Sequence, residues 1–211
     1  MIISDFDGVL FNDHRFKGDY KWLFTRSGVP HRVHQAAYRE AKKTHASGAY
    51  RHDKHLAIVR QKMPLIDPRA MEKNISQFLA RSGTYLYSDA LPFLSYWKKR
   101  KQKLALVSSG FAFQKKKVAA SGLRHFFHPA VITGTQLKVE PIGRIIKKFP
   151  GERVVFMDDR KEVVDAIKKA FPRIFVIQVV RRSSKERSTR ADAVVKNLAA
   201  ARALCENTLK P

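Results

Sequence analysis

The sequence predicts an α/β protein: a Rossmann-like parallel sheet core with helices on both faces and a small all-helical segment inserted near its start. Three observations carry that expectation. Short apolar runs rich in β-branched residues recur along the chain, helical patterns stand between them from about residue 85 onward, and the stretch 14–84 holds helical stripes but no convincing strand.

The opening run Met1-Ile2-Ile3-Ser4 reads as a buried strand that delivers Asp5 to a sheet edge. Two helical stripes follow, Phe16, Tyr20, Leu23, Phe24 and then Met71, Ile75, Phe78, Leu79, the second opened by Asp67-Pro68. Weaker stripes lie between them at 33–41 and 56–59. Asp89 is placed to cap a helix that buries Leu91, Leu94 and Trp97. Strands are expected at 103–107 (KLALV), 130–133 (AVIT), 153–157 (RVVFM) and 174–180 (IFVIQVV). Helices marked by Ile142, Ile145 and Ile146 after Pro141, and by Val163, Val164 and Ile167, fall between them. This alternation argues for parallel strands with helical crossovers. The segment 181–190 (RRSSKERSTR) is a polar loop too short to separate domains. The expected organisation is a core of residues 1–13 and 85–211 with residues 14–84 as the helical insertion.

With 211 residues and 44% hydrophobic content, one substantial core is expected, with room for a smaller unit beside it. No apolar run approaches the roughly 20 residues that cross a bilayer, and Asp5 and Asp7 interrupt the hydrophobic start. A soluble, cytoplasmic protein is therefore expected. The single cysteine, Cys205, cannot form an internal disulfide and lacks zinc-site spacing. Against 18 acidic residues stand 42 Lys and Arg, a net charge of +24 that draws phosphates, nucleotides or nucleic acid toward the surface. The basic runs at 98–103, 115–117, 147–148 and 181–190 are dispersed, which favours a solvated surface over a nucleic-acid groove. The HxxH spacings His31/His34 and His52/His55 are expected to be surface histidines, not metal ligands.

Chemistry concentrates at the strand ends. Asp5 and Asp7, spaced i, i+2 before Gly8, can both face a crevice once the chain turns. One could attack while the other handles protons. A second pair, Asp158-Asp159, follows another apolar strand, and in one parallel sheet the four carboxylates would converge on one edge. Such crowding requires a hard cation, and an all-oxygen set suits Mg²⁺ better than zinc. Ser108-Ser109-Gly110 ends a third strand and reads as a phosphate cradle. Lys138, ahead of a helix, could offset charge on nucleophile and phosphate.

These four pieces, in this order, resemble the haloacid dehalogenase superfamily. Its DxDG[TV] motif matches Asp5-Phe6-Asp7-Gly8-Val9, its strand-end Ser or Thr matches Ser108, its Lys before a helix matches Lys138, and its acidic pair matches Asp158-Asp159. The stretch YSDALPFLSYWKKRKQKLALVSSG is similar to the approach to the second motif in the superfamily's helical-cap phosphatases. The resemblance implies that Asp5 attacks phosphorus to give an aspartyl-phosphate, while Asp7 protonates the leaving alcohol and then activates water. It implies Mg²⁺ held by the Asp5 side chain, the Asp7 backbone carbonyl and the Asp159 side chain, with Asp158 a direct or water-mediated ligand. Ser108 and neighbouring N–H groups would hold the phosphate, and residues 14–84 would form a cap reading the leaving group together with Phe11, Asn12, Asp13 and His14. Family members that cleave carbon–halogen bonds usually lack the second aspartate, so Asp7 favours phosphoester chemistry. The chain departs from the pattern at Val163 and Val164, where a polar residue is common and Asp165 falls one step late, and at Val139, where proline is frequent. The expected function is phosphatase action on a small phosphorylated metabolite. The alternatives are a phosphomutase with the same site and a protein of this fold whose basic surface binds RNA or another polyanion.

Overall fold

The computed structural model describes residues 1–44, 49–183 and 186–210. Strand β1 (Ile2–Ser4) is followed by four helices, α1 (Asp13–Arg26), α2 (His31–Lys43), α3 (His52–Lys62) and α4 (Pro68–Ala80). The chain then returns through α5 (Ala90–Lys99), β2 (Leu104–Ser109), α6 (Ala112–Ala120), β3 (Ala130–Thr133), α7 (Val139–Lys148) and β4 (Val155–Asp158). It closes with α8 (Lys161–Ala170), β5 (Phe175–Val179), β6 (Ala193–Val195) and α9 (Leu198–Leu209).

The pairings are parallel throughout, in the order β3-β2-β1-β4-β5-β6. That order reverses direction at β1, and in such sheets a crevice opens beyond the strand ends at the reversal. Ser4 pairs with Leu106 on one side and Met157 on the other, so Asp5 and the acidic pair after Met157 emerge side by side at this point.

Burial on both faces explains the continuous apolar character of the strands. Alternate residues Ile2, Leu104, Leu106, Val155, Met157 and Ile177 pack toward α5, α9 and Val118 of α6. Ile3, Ala105, Val107, Phe156 and Val176 pack on the other face against Ile142 and Ile145 of α7 and Val163, Val164 and Ile167 of α8. The inserted helices join the first of these clusters. Helix α1 starts where the Asn12 side chain accepts from the Arg15 N–H (3.0 Å) and buries Phe16, Tyr20 and Phe24. Helix α4 starts where Asp67 accepts from Arg69 N–H (2.8 Å), with Pro68 in its first turn, and buries Met71, Ile75 and Leu79. Phe11 and Tyr85, 5.8 Å apart by ring centroid, connect these faces to the sheet, so the apolar cluster runs without a break from sheet to insertion.

Three features differ from the sequence reading. Strand β6 was not expected, because three residues at a half-exposed sheet edge carry no periodicity. Asp89 stands at the start of α5 but caps nothing within it: its carboxylate receives Arg181 (2.8 and 3.0 Å) and the Leu198 N–H (2.8 Å), tying α5 to α9. Leu91 accordingly faces solvent, and the helix buries Ala90, Phe93, Leu94 and Trp97. His34 and His55, expected at the surface, are buried and pack 4.9 Å apart within the inserted helices. Among the described residues no helix is long and apolar enough to cross a membrane, and Cys205 is buried in α9.

Candidate active site

The ends of β1, β2 and β4 bring most of the sequence-nominated residues to one place. A cavity of about 280 Å³ is lined there by Asp5, Asp7, Ser108, Ser109, Gly110, Lys138 and Asp159, with further wall from the inserted helices and from Phe111, Phe113, Gln114 and Lys117 in and just before α6. Carboxylate oxygens of Asp5, Asp158 and Asp159 lie within 4.8 Å of one another, all three side chains buried. Asp5 is held by its own N–H, which donates to Met157 O (2.9 Å) as the sheet ladder continues past Ser4.

Lys138 is the counter-charge to this cluster. Its ammonium lies 2.7 Å from Asp5 Oδ1 and 2.7 Å from Asp158 Oδ2 while only 1% of its side chain is exposed. Lys138 has φ +60, a left-handed conformation costing a non-glycine residue roughly 1–2 kcal/mol, at the start of α7. The two aspartates supply the counter-charge that a buried ammonium requires. Burial opposes the charge of Lys138, yet Asp158 and Asp5 raise its pKa above the usual lysine value. Burial raises the Asp5 carboxyl, with Lys138 opposing and Asp158 adding.

Asp158 has both oxygens engaged, one by Lys138 and the other by the Arg160 N–H (2.9 Å). It is therefore chiefly the anchor of Lys138. The oxygens differ at Asp5: Oδ1 sits beside the Lys138 ammonium but has no donor aligned on it as a hydrogen bond. Gly8, at φ +77, passes so close that a Cβ there would stand 2.3 Å from Asp159 Oδ2. Three buried carboxylates sharing one ammonium, an all-oxygen donor set and a glycine making room for Asp159 together fit a hard divalent cation.

Asp7 is held by two residues that sequence reasoning missed. Lys117 Nζ lies 2.6 and 2.8 Å from its two oxygens, and Gln114 Nε2 donates to Asp7 Oδ2 (2.9 Å) and to Ser108 Oγ (2.9 Å). Lys117 is buried over the rings of Phe6, Phe11 and Phe16, at 4.9–5.6 Å from their centroids. Gln114 and Lys117 are three apart on α6, hence on one helical face, and that spacing was the readable signal. The surrounding run of lysines concealed it.

The turn after β2 is more differentiated than its sequence suggests. Because Ser108 Oγ accepts from Gln114, its own proton is left to donate into the cavity. Ser109 and Gly110 also line the cavity, where Ser109 Oγ donates to Thr135 O (2.9 Å) and the Gly110 N–H donates to Thr133 O (2.8 Å). Gly110 serves through the absence of a side chain: at φ +150, a Cβ would stand 2.5 Å from Gln114 Cβ. Asp165 bonds Ser188 Oγ and thereby fastens the loop before β6.

A family model described as haloacid dehalogenase-like hydrolase matches residues 1–170. The chain belongs to that family. Among solved structures, a haloacid dehalogenase-like hydrolase from Burkholderia xenovorans LB400 shares 21% identity at a TM-score of 0.76, covering 95% of this chain and 96% of that one. A HAD phosphatase from Thermococcus onnurineus matches with a TM-score of 0.64 and 17% identity, covering 99% of each chain. A beta-phosphoglucomutase from Thermotoga maritima gives 0.57 and 20%, covering 97% and 98%. No curated protein sequence matches the chain. At these identities the neighbours show that this haloacid dehalogenase-like hydrolase has their fold, and its activity has to be argued from its own residues.

Proposed function

We propose that this hydrolase is a Mg²⁺-dependent phosphohydrolase acting on a small phosphomonoester, with Asp5 as nucleophile. The observation that carries the reading is the presence of a second carboxylate, Asp7, in the cavity that holds Asp5, its position fixed by Lys117 and Gln114. Cleaving a carbon–halogen bond needs no such group, because halide leaves unprotonated. Phosphomonoester cleavage does need one, since an alkoxide is a poor leaving group.

In the proposed reaction an Asp5 oxygen forms a bond to phosphorus as the bond to the leaving oxygen breaks. Asp7 gives that oxygen a proton. A water molecule then attacks phosphorus, passes a proton to Asp7, and releases inorganic phosphate and free Asp5. Ser108 donates its proton to a non-transferring oxygen, and Lys138 balances charge on Asp5 and on the phosphoryl group. Asp5 and Asp159 side chains and the Asp7 carbonyl would hold Mg²⁺, with Asp158 engaged through water because its oxygens already serve Lys138 and the Arg160 N–H. When bound, the cation supplies charge neutralisation between carboxylates and phosphate. Residues 14–84 would act as the cap that excludes water and reads the leaving group.

The test is release of inorganic phosphate in the presence of Mg²⁺ from p-nitrophenyl phosphate and a panel of phosphomonoesters. Asp5→Asn is expected to abolish release while the thermal unfolding transition persists; undiminished turnover in that variant rejects the nucleophile.

A further inference from the structure

The part of the cavity that the strand ends do not line is rich in aromatic rings, set among the charged side chains of Asp13, Lys17, Lys42, Lys117 and Arg160. Phe16, Tyr20, Tyr38, Tyr50, Phe111 and Phe113 are six of its 21 lining residues, nearly three times the 10% aromatic content of the chain. Rings of this kind present flat carbon faces and few directional polar groups.

Two of the three tyrosine hydroxyls, those of Tyr20 and Tyr50, are used elsewhere. Tyr20 Oη is 2.8 Å from His52 Nδ1, Tyr50 Oη is 2.6 Å from His55 Nδ1, and the two hydroxyls lie 3.3 Å apart. Their polar ends are thus engaged inside the helical insertion, and what they offer the cavity is ring carbon. The rings also hold one another in place: Tyr38 stacks on Tyr50 at 4.8 Å and 27°, and Phe113 stacks on His52 at 4.5 Å and 26°. Such a wall is pre-ordered, so little conformational entropy remains to be lost on binding.

These facts discriminate between leaving groups. A bare sugar brings hydroxyls that the ring faces leave unpaired, and it has no flat face to lay on them. A planar unsaturated ring gains stacking on such faces whatever sugar hydroxyls accompany it. We infer that the aromatic wall selects phosphomonoesters whose alcohol carries a planar unsaturated ring, of the size of a nucleoside 5′-monophosphate, over sugar phosphates that lack one. This rests on the phosphohydrolase reading of the adjoining carboxylates.

The experiment compares two matched pairs: AMP against ribose 5-phosphate, and benzyl phosphate against cyclohexylmethyl phosphate. For each pair kcat/KM is measured with the native protein and Mg²⁺, and binding is measured by calorimetry with the Asp5→Asn variant. The planar member is expected to lead by at least about tenfold, the effect of roughly 1.4 kcal/mol of stacking. Tyr38→Ala and, separately, Phe111→Ala are expected to shrink that ratio toward one, and Tyr38→Phe to retain it. Ratios near one in both pairs overturn the inference, and so does equality of benzyl and cyclohexylmethyl esters, which would make apolarity sufficient. Turnover of p-nitrophenyl phosphate reports the hydrolase reading separately. Preferential binding of AMP without turnover of any ester would uphold ring selection while rejecting the hydrolase.

Discussion

Lys117 shows how much of this site depends on one side chain. It is buried on rings of Phe6, Phe11 and Phe16, and both Asp7 oxygens lie within 2.8 Å of its ammonium. Lys117→Met keeps the apolar stem and removes the charge. Asp7 would then be located by Gln114 alone, and a mislocated proton donor matters most for leaving groups that need protonation. We expect kcat on an alkyl phosphate to fall by about 10²-fold, within the range general acid–base catalysis contributes. Hydrolysis of p-nitrophenyl phosphate, whose leaving group departs unaided, should fall far less. Equal losses on both would mean that Lys117 only supports the fold. Gly8 makes a second test at this scale. Gly8→Ala adds a methyl 2.3 Å from Asp159 Oδ2 and puts alanine at φ +77, so Asp159 must move. In the native protein Mg²⁺ at 100 times its Kd should stabilise the fold by about 2.7 kcal/mol, read as a rise in Tm that chelation reverses. In Gly8→Ala that rise should be lost. Asp5, Ser108 and the acidic pair were legible in the sequence because each stands at the end of an apolar strand, whereas Lys138, one lysine among many, was singled out by the resemblance to the family motif. Gln114 and Lys117 were not legible, since their meaning depends on which face of α6 meets the cavity.

Among the elements, α2 and α3 depart furthest from expectation, and the reason is the chemistry of imidazole. A neutral histidine packs like any small aromatic ring once its polar atoms are partnered or its burial is tolerated, so HxxH spacing says little about exposure. His34 packs on Phe24 (4.7 Å) and His55 (4.9 Å), and His55 stacks on Phe24 (4.8 Å). Burial, with the charges of His31 and Lys21, pushes His34 down to about 4. Burial, with His34 and His52, pushes His55 to about 3; burial, with Lys116 and against Asp53 and Glu72, pushes His52 to about 4. In the unfolded chain all three titrate near 6.5. Their folded values are depressed, so the stability they allow is complete above about pH 6.5 and is lost as pH falls toward about 4, because the unfolded state takes up the protons first. The slope approaches about 1.4 kcal/mol per pH unit for each group. Thermal melts from pH 8 to pH 4 should show Tm falling through this window, and His34→Phe with His55→Phe should flatten the fall. A pH-independent Tm in the native protein would contradict the buried neutral imidazoles. The strands were legible because continuous β-branched runs mark a sheet buried on both faces, whereas β6 is too short to carry any pattern.

At the scale of the molecule, the parallel fold rearranges the charge that the sequence displays as scattered. In a parallel α/β sheet each helix that precedes a strand ends at the strand's N-terminal edge, opposite the cavity. Helices α5, α7 and α8 each finish with two lysines there: Lys98 and Lys99, Lys147 and Lys148, Lys168 and Lys169. Such residues complement the helix dipoles locally, which explains why each pair is tolerated. Topology then places the pairs on one edge, together with Lys103, whose partner Glu152 also serves the N-terminus, and Lys168, which pairs with Asp192. Two of the runs that sequence spacing treated as dispersed, 98–103 and 147–148, thus share an edge remote from Asp5 with Lys168 and Lys169, whereas Lys117 lies in the cavity and Arg181 beside Val9 and Asp89, so part of the +24 charge acts as a single field. A polyanion should feel that edge without entering the active site. The variant carrying Lys98→Glu, Lys99→Glu, Lys147→Glu and Lys148→Glu, whose four reversals lower the net charge from +24 to +16, should elute from heparin at markedly lower salt. Its hydrolysis of p-nitrophenyl phosphate should be unchanged, because none of the four residues lines the cavity. Four reversals spread over surface positions away from this edge give the comparison: if they lower the elution salt equally, total charge governs the binding and the edge has no special role.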